Sequence, residues 1–130
     1  MRIVLGIGHE SGVAFAELVA LADDCLKRAA CAQRDLDAVA SIESRRAVGL
    51  VVRLAQHFGV AATFYPAARL ELETPRLLHP SEDLFRRIGC HGVAEAAALA
   101  AAGPEAVLVL AKQAARGVTC AIAARDPNRG

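Results

Sequence analysis

The sequence predicts an α/β fold: a three-layer α/β/α arrangement around a mostly parallel sheet of about five strands, with an antiparallel hairpin at one edge. Short apolar runs suited to strands alternate with longer stretches whose apolar residues recur at three- and four-residue steps. The runs are continuous rather than alternating, as strands covered on both faces require. Only about six residues, 111–116, separate the last two runs, which permits a hairpin but not a parallel crossover of a dozen or more.

Residues 3–7, Ile-Val-Leu-Gly-Ile, form the first strand and end among glycines. Over 14–32, Leu18, Leu21, Ala22, Cys25, Leu26 and Ala29 share one helical face, and Glu17, Asp24, Lys27 and Arg28 lie largely away from it. Residues 38–42 follow as a strand, 45–58 as a helix stopped by Gly59, and 60–65 as a strand halted by Pro66. Residues 66–80 show little periodicity beyond a short helix around 67–72 and are expected to form a surface excursion. Ser81 precedes Glu82 and Asp83, giving a side-chain cap and favourable charge to a short helix ending at Ile88. A second helix starts near Val93 and carries an alanine-rich run to Ala102. Gly103-Pro104 breaks it before a strand over 106–110, and the last strand covers 117–123. These elements make one domain over 1–124, with 125–130 as a flexible tail.

Composition narrows the function classes. The 130 residues are 55% hydrophobic, but charge interrupts the apolar runs, and none approaches the roughly 20 residues of a bilayer span. The first run is also shorter than the about 7–15 residues of a signal-peptide core, so a soluble cytoplasmic protein is expected. Fifteen basic residues against 14 acidic ones leave a charge of +1, which provides no general field for nucleic acid or an anionic membrane. Cys25, Cys31, Cys90 and Cys120 lack metal or disulfide spacing and are expected as free thiols.

Ligands of open parallel sheets bind beyond the carboxyl ends of the strands, so those ends are where chemistry is expected. After the first strand come Gly6, Gly8, His9, Ser11 and Gly12, a glycine turn whose backbone amides suit a carboxylate or phosphate. After the second, Ser44 is placed to cap a helix. Arg45 and Arg46 stand in its first turn, where positive charge opposes the dipole and suggests anion contact. Tyr65 ends the third strand and Lys112 the fourth. Glu43, His91 and Glu95 are the candidates for acid–base catalysis, although Glu95 also favours its helix start through charge alone. His9, Cys90 and His91 are metal-ligand types without a defining spacing, and neither a metal nor a cofactor is expected. The dinucleotide fingerprint is incomplete because its third glycine, Gly12, comes one position late. A nucleotide- or phosphate-binding domain therefore ranks lowest.

Three segments occur together in order: Gly6-Ile7-Gly8 with Gly12; Gly92-Val93-Ala94-Glu95-Ala96-Ala97-Ala98; and Lys112-Gln113 followed by Gly117-Val118-Thr119-Cys120-Ala121-Ile122-Ala123. In this the chain resembles the CobE/CbiG C-terminal domain family of cobalamin biosynthesis. The likeness covers nearly the whole chain, and the end motif is its most specific part. It implies a protein of corrin-ring assembly, in the stand-alone form of the cobalt-late, aerobic route. In two-domain members this unit is fused to one associated with opening a ring lactone on a cobalt-precorrin and releasing acetaldehyde. Family members often carry Cys and basic residues where His9, Glu10 and Ser11 stand, and Ser or Thr where Gly92 stands. A site built on backbone amides survives those changes.

Two functions follow from the resemblance. One is binding or carrying a precorrin or corrinoid, with the glycine-turn amides, Arg45, Arg46 and Lys112 on its carboxylates and Tyr65 against the ring. The other is hydrolysis of a precorrin lactone, with Glu43, Glu95 or a histidine such as His91 activating water and Lys112 stabilising the oxyanion. Other enzymes of the cobalamin pathway are the protein partners it suggests.

Overall fold

The computed structural model describes residues 1–126. Strands β1 (Arg2–His9), β2 (Ala38–Ile42) and β3 (Ala61–Tyr65) run parallel, and β4 (Val107–Ala115) and β5 (Val118–Arg125) form an antiparallel hairpin. The order is β3-β2-β1-β5-β4, with β5 antiparallel to β1, so the α/β class and mixed sheet read from the sequence are those observed.

The two-residue alternation of strand side chains divides the core. Ile3, Leu5 and Ile7 point to one face, where α1 (Phe15–Arg28) and α2 (Leu50–Phe58) cover them. Val4, Ala38, Ala40 and Ala123 point to the other, under α3 (Ala67–Glu71) and α5 (Ala94–Ala102). By contrast α4 (Glu82–Ile88) contributes no fully buried residue.

The alanine run has a packing reason. Ala96, Ala97, Ala98 and Ala102 are buried, and their short side chains bring the axis of α5 close to the sheet. The sheet answers with Gly6: a Cβ there would overlap the Ala94 carbonyl oxygen and lie 2.9 Å from both the Ala94 carbonyl carbon and the Ala98 nitrogen. Gly6 is thus an interior strand residue, paired with Ala40 on one side and Ala121 on the other, rather than part of a turn.

Several elements differ from their sequence expectations. The helix expected over 45–58 is split: a 3-10 turn spans Glu43–Val48, Gly49 takes φ 84°, and only then does α2 begin. Ser44 therefore caps nothing, whereas Ser81 caps as expected, accepting the Leu84 N–H at 3.1 Å. Residues 66–80 are more than a surface excursion. Leu70 is fully buried, and the buried Glu73 carboxylate pairs with Arg69 at 2.8 Å and Arg76 at 2.6 Å. Arg76 donates onward to the carbonyls of Gly103 and Ala106, tying this segment to the end of α5. Anchoring through single side chains leaves no periodic signal.

The strand expected at 106–110 continues to Ala115, so Lys112 lies within β4 and the hairpin loop is Arg116-Gly117 alone. Arg125, assigned by the sequence to the tail, pairs with Arg2, and residues 127–130 of that tail lie outside the described residues. The four cysteines are free thiols. Among the described residues no helix is long and apolar enough to cross a membrane.

Candidate functional site

The site begins where β1 outruns its neighbour. Ladder pairing of β1 with β2 stops at Gly6–Ala40, and β2 ends at Ile42, level with Gly8, so that His9 extends past it. Side chains take over there: Ser41 Oγ donates to the Ile7 carbonyl, and Arg45 Nε donates to the His9 carbonyl at 3.0 Å. The terminal nitrogens of Arg45 have no partner among the described residues. The β4–β5 hairpin stands on the other side of β1, and α4 with residues 91–93 closes one wall. Between them is a cleft of about 490 Å³, a size typical of small-molecule sites.

Of the residues singled out in the sequence, Gly8, His9, Ser44, Arg45, Lys112 and His91 line this cleft. Gly6 is covered by α5, and Ser11 and Gly12 are exposed beyond the cleft. Arg46 and Glu43 pair with each other at 2.8 Å, and the Arg46 guanidinium lies 4.6 Å from the Phe64 ring centre. Tyr65 packs against the core under α5, with Arg69 5.9 Å from its ring centre. His9, Cys90 and His91 do not assemble as ligands, since no group of three or more His, Cys, Asp or Glu among the described residues is placed to hold a metal.

Glu95 is buried outside the cleft lining, and its carboxylate is occupied by backbone. Oε1 accepts the N–H groups of Leu78 and His79, and Oε2 accepts that of Lys112, each at 2.9 Å. A bulge in β4 explains the third bond. From Leu110 to Gln113 the strand advances three residues while β5 moves two, from Ile122 to Cys120, which disrupts the ladder beside Lys112. Glu95 receives that N–H and sets Lys112 at the cleft wall.

His91 links α4 to the rest of the chain. Its Nδ1 lies 2.9 Å from both Glu71 carboxylate oxygens, its backbone N–H donates to Glu71 Oε1 at 3.0 Å, and its ring stacks on Phe85 at 4.3 Å. Nε2 faces Glu82 at 3.4 Å, and the His91 carbonyl accepts the Ser81 N–H. The bond to Glu71 raises the ring above its ordinary value of 6.5, and the same bond lowers Glu71 below its ordinary 4.5. The histidine contribution is complete below 6.5 and disappears as pH rises through its raised value. The glutamate contribution is present above 4.5 and disappears as pH falls through its lowered value. The tether is therefore strongest between about pH 4.5 and 6.5. Hydrogen exchange in α4 is expected to quicken as pH rises above the ordinary histidine range, beyond the intrinsic pH dependence of exchange. A His91 ring titrating at or below 6.5 by NMR would contradict this.

His9 is buried at the cleft wall. Its Nδ1 donates to the Glu10 carbonyl at 2.9 Å, since a carbonyl only accepts, and Nε2 has no partner among the described residues. Sequence reasoning missed Arg87 and Arg116, which line the cleft with Arg45 and Lys112. Arg87 stands in the last turn of α4, where positive charge is favoured, and it pairs with Asp83 at 3.3 Å. Leu84 and Ile88 of α4 supply apolar lining, with the Thr119 hydroxyl side chain opposite on β5. Glu10 is the acidic residue among these lining groups.

The chain matches the family model described as "Cobalamin synthesis G C-terminus" over residues 3–123. It is 47% identical over 121 residues to Protein CobE of Sinorhizobium sp, covering 93% of this chain and 79% of that protein. Its structure is similar to the crystal structure of CobE, a protein from the cobalamin (vitamin B12) biosynthetic pathway. There the TM-score is 0.86 at 36% identity, covering 94% of this chain and 89% of the other. It is also similar to cobalamin biosynthesis protein chiG from Agrobacterium tumefaciens str. C58, with a TM-score of 0.69 at 28% identity, covering 95% and 98% of the two chains.

Proposed function

The chain belongs to the cobalamin synthesis G C-terminus family, and on that premise we propose that its cleft binds a precorrin or corrinoid intermediate by the carboxylates at the ring's edge. The observation that carries this reading is the concentration of Arg45, Arg87, Lys112 and Arg116 around one cleft, on a chain whose net charge is only +1. Arg45 and Lys112 have no carboxylate partner among the described residues, so each is available to an anion without first surrendering an ion pair. Leu84, Ile88 and Val93 offer apolar surface to the ring face. The protein would act in the cytoplasm and pass its cargo to other enzymes of the pathway.

Binding without turnover is the favoured form of this reading. The Glu95 carboxylate is saturated by three backbone donors, and Glu43 is paired outside the cleft. His91 is held by Glu71 toward its protonated form, which disfavours it as a proton acceptor. Lactone hydrolysis would have to draw its base from another group, the lining residue His9, whose Nε2 has no partner among the described residues. The phosphate-binding reading loses support because Gly6 lies inside the sheet and Gly12 outside the cleft.

Titration with cobyrinic acid, a corrin with free edge carboxylates, is expected to give saturable binding and a shift in the ligand's visible spectrum. Changing both Arg45→Ala and Lys112→Ala should weaken it by roughly 10–100-fold, the usual worth of one to two charge-assisted hydrogen bonds. No binding by the unaltered protein would sink the proposal. Acetaldehyde release from a lactone-bearing precorrin would replace it with the hydrolytic reading.

A further inference from the structure

The β4–β5 hairpin turns on two residues, and both are left-handed: Arg116 has φ 51° and Gly117 has φ 81°. A two-residue loop of this type suits the twist of the strands it joins, and its usual first residue is Asn, Asp or Gly. Those residues tolerate a left-handed backbone, whereas an arginine Cβ crowds the following carbonyl. Arg116 is therefore a poor choice for the turn itself.

The turn is pinned by the Glu10 N–H on the Gly117 carbonyl at 2.8 Å, a bond that does not depend on the residue at 116, and among the described residues the Arg116 side chain itself gains little. The guanidinium lies 3.3 Å from Glu17, but the Arg116 side chain is 77% exposed, and ion pairs so open to water contribute little. What distinguishes the position is its location. The turn stands on the rim of the cleft that also holds Arg45, Arg87 and Lys112, and Arg116 is part of its lining. The short loop sets a long cation at the rim, above the Ala114, Ala115 and Thr119 lining from the strands below it.

We propose that Arg116 is a ligand-binding residue, kept in an unfavourable backbone conformation because it clamps an edge carboxylate of the bound macrocycle, exchanging Glu17 for the ligand. This rests on the corrinoid reading above. A planar fork of donors suits a carboxylate at a rim better than an ammonium does, so the identity of the cation matters as well as its charge.

The test sets stability against binding. Arg116→Asn should raise the Tm by about 3–5 °C, the response of a domain this size to relief of one strained residue. It should also weaken cobyrinic acid about tenfold and flatten the salt dependence of binding, while leaving any affinity for the fully methyl-esterified corrin unchanged. Arg116→Lys should show little gain in Tm and an intermediate loss of affinity. Glu17→Gln, which removes the competing carboxylate, should lower the Tm by no more than about 1–3 °C, through the charge lost from the first turn of α1, and tighten binding. A stabilised Arg116→Asn variant that binds cobyrinic acid as well as the unaltered protein overturns the assignment while the corrinoid reading stands. A larger Tm loss in Glu17→Gln, matched in Arg116→Asn, would make the arginine a structural partner instead. If the unaltered protein binds no corrin acid, both readings fall together.

Discussion

Gly6→Ala is expected to destabilise the protein by at least about 3 kcal/mol, the upper range for overpacking a well-filled interior. The added methyl meets backbone rather than a movable side chain: the Ala94 carbonyl group and, at 2.9 Å, the Ala98 nitrogen. Relief requires the whole of α5 to move off the sheet, and α5 carries Glu95 and the cleft residue Val93 with it. Gly8→Ala is the useful contrast. Its Cβ would lie 2.6 Å from Thr119 Oγ1 and 3.3 Å from Val93 side-chain atoms, groups that can rotate or shift. Its cost should be nearer 1–2 kcal/mol, with a change in the cleft wall rather than loss of the fold. Urea denaturation of both variants separates the cases. A Gly6→Ala midpoint close to that of the unaltered protein would show that α5 does not seat against β1 as described.

Glu95→Ala is the second large effect, at about 2–4 kcal/mol, because it leaves three backbone donors without their acceptor. The Leu78 and His79 N–H groups belong to exposed residues and can turn to water, so the loss should concentrate at the bulge beside Lys112. Glu95→Gln keeps one acceptor oxygen but turns an NH₂ toward an N–H, and is expected to lie between the two. The decisive readout is local: amide exchange at Lys112 and its neighbours in β4 should rise in both variants, with binding weakened in proportion. Full stability in Glu95→Ala, with binding lost, would mean that this carboxylate acts on the ligand and not on the backbone.

Much of the fold was legible because it depends on local pattern. The strand at 38–42 and its neighbour ending at Tyr65 were bounded closely by apolar runs and by Pro66. Ser81 was recognisable as a cap because capping is a contact within one helical turn. The helix expected over 45–58 was not recognisable as two pieces, since apolar spacing continues across Gly49 while its backbone does not. The extension of β4 through Lys112 was hidden for another reason. Lys112 and Gln113 resemble a strand end by polarity, and only the pairing with β5 continues the strand past them.

The site was legible in outline. Strand ends pointed to Gly8, His9, Ser44, Arg45 and Lys112, and these do line one cleft. The same reasoning could not separate Gly6 from Gly8, because the first faces the backbone of α5 and the second reaches the cleft, a difference of two residues along one strand. The sequence reading singled out neither Arg87 nor Arg116, both of which line the cleft. The one available signal was an Arg-Gly pair where a two-residue hairpin ordinarily uses Asn-Gly.

By itself, the sequence determined the α/β class, the number of layers, the hairpin edge and the family motifs, all of which reside in periodicity, turn chemistry and residue order. Tertiary structure alone decided that the glycine segment is mostly strand, and that Glu95 is a backbone acceptor rather than a lining group. It also decided which arginines share a cleft. The physical reason is reach: helices and strands arise from neighbours a few residues apart. The cleft instead depends on how far one strand outruns another, on a bulge between two strands, and on how closely an alanine helix can approach a glycine.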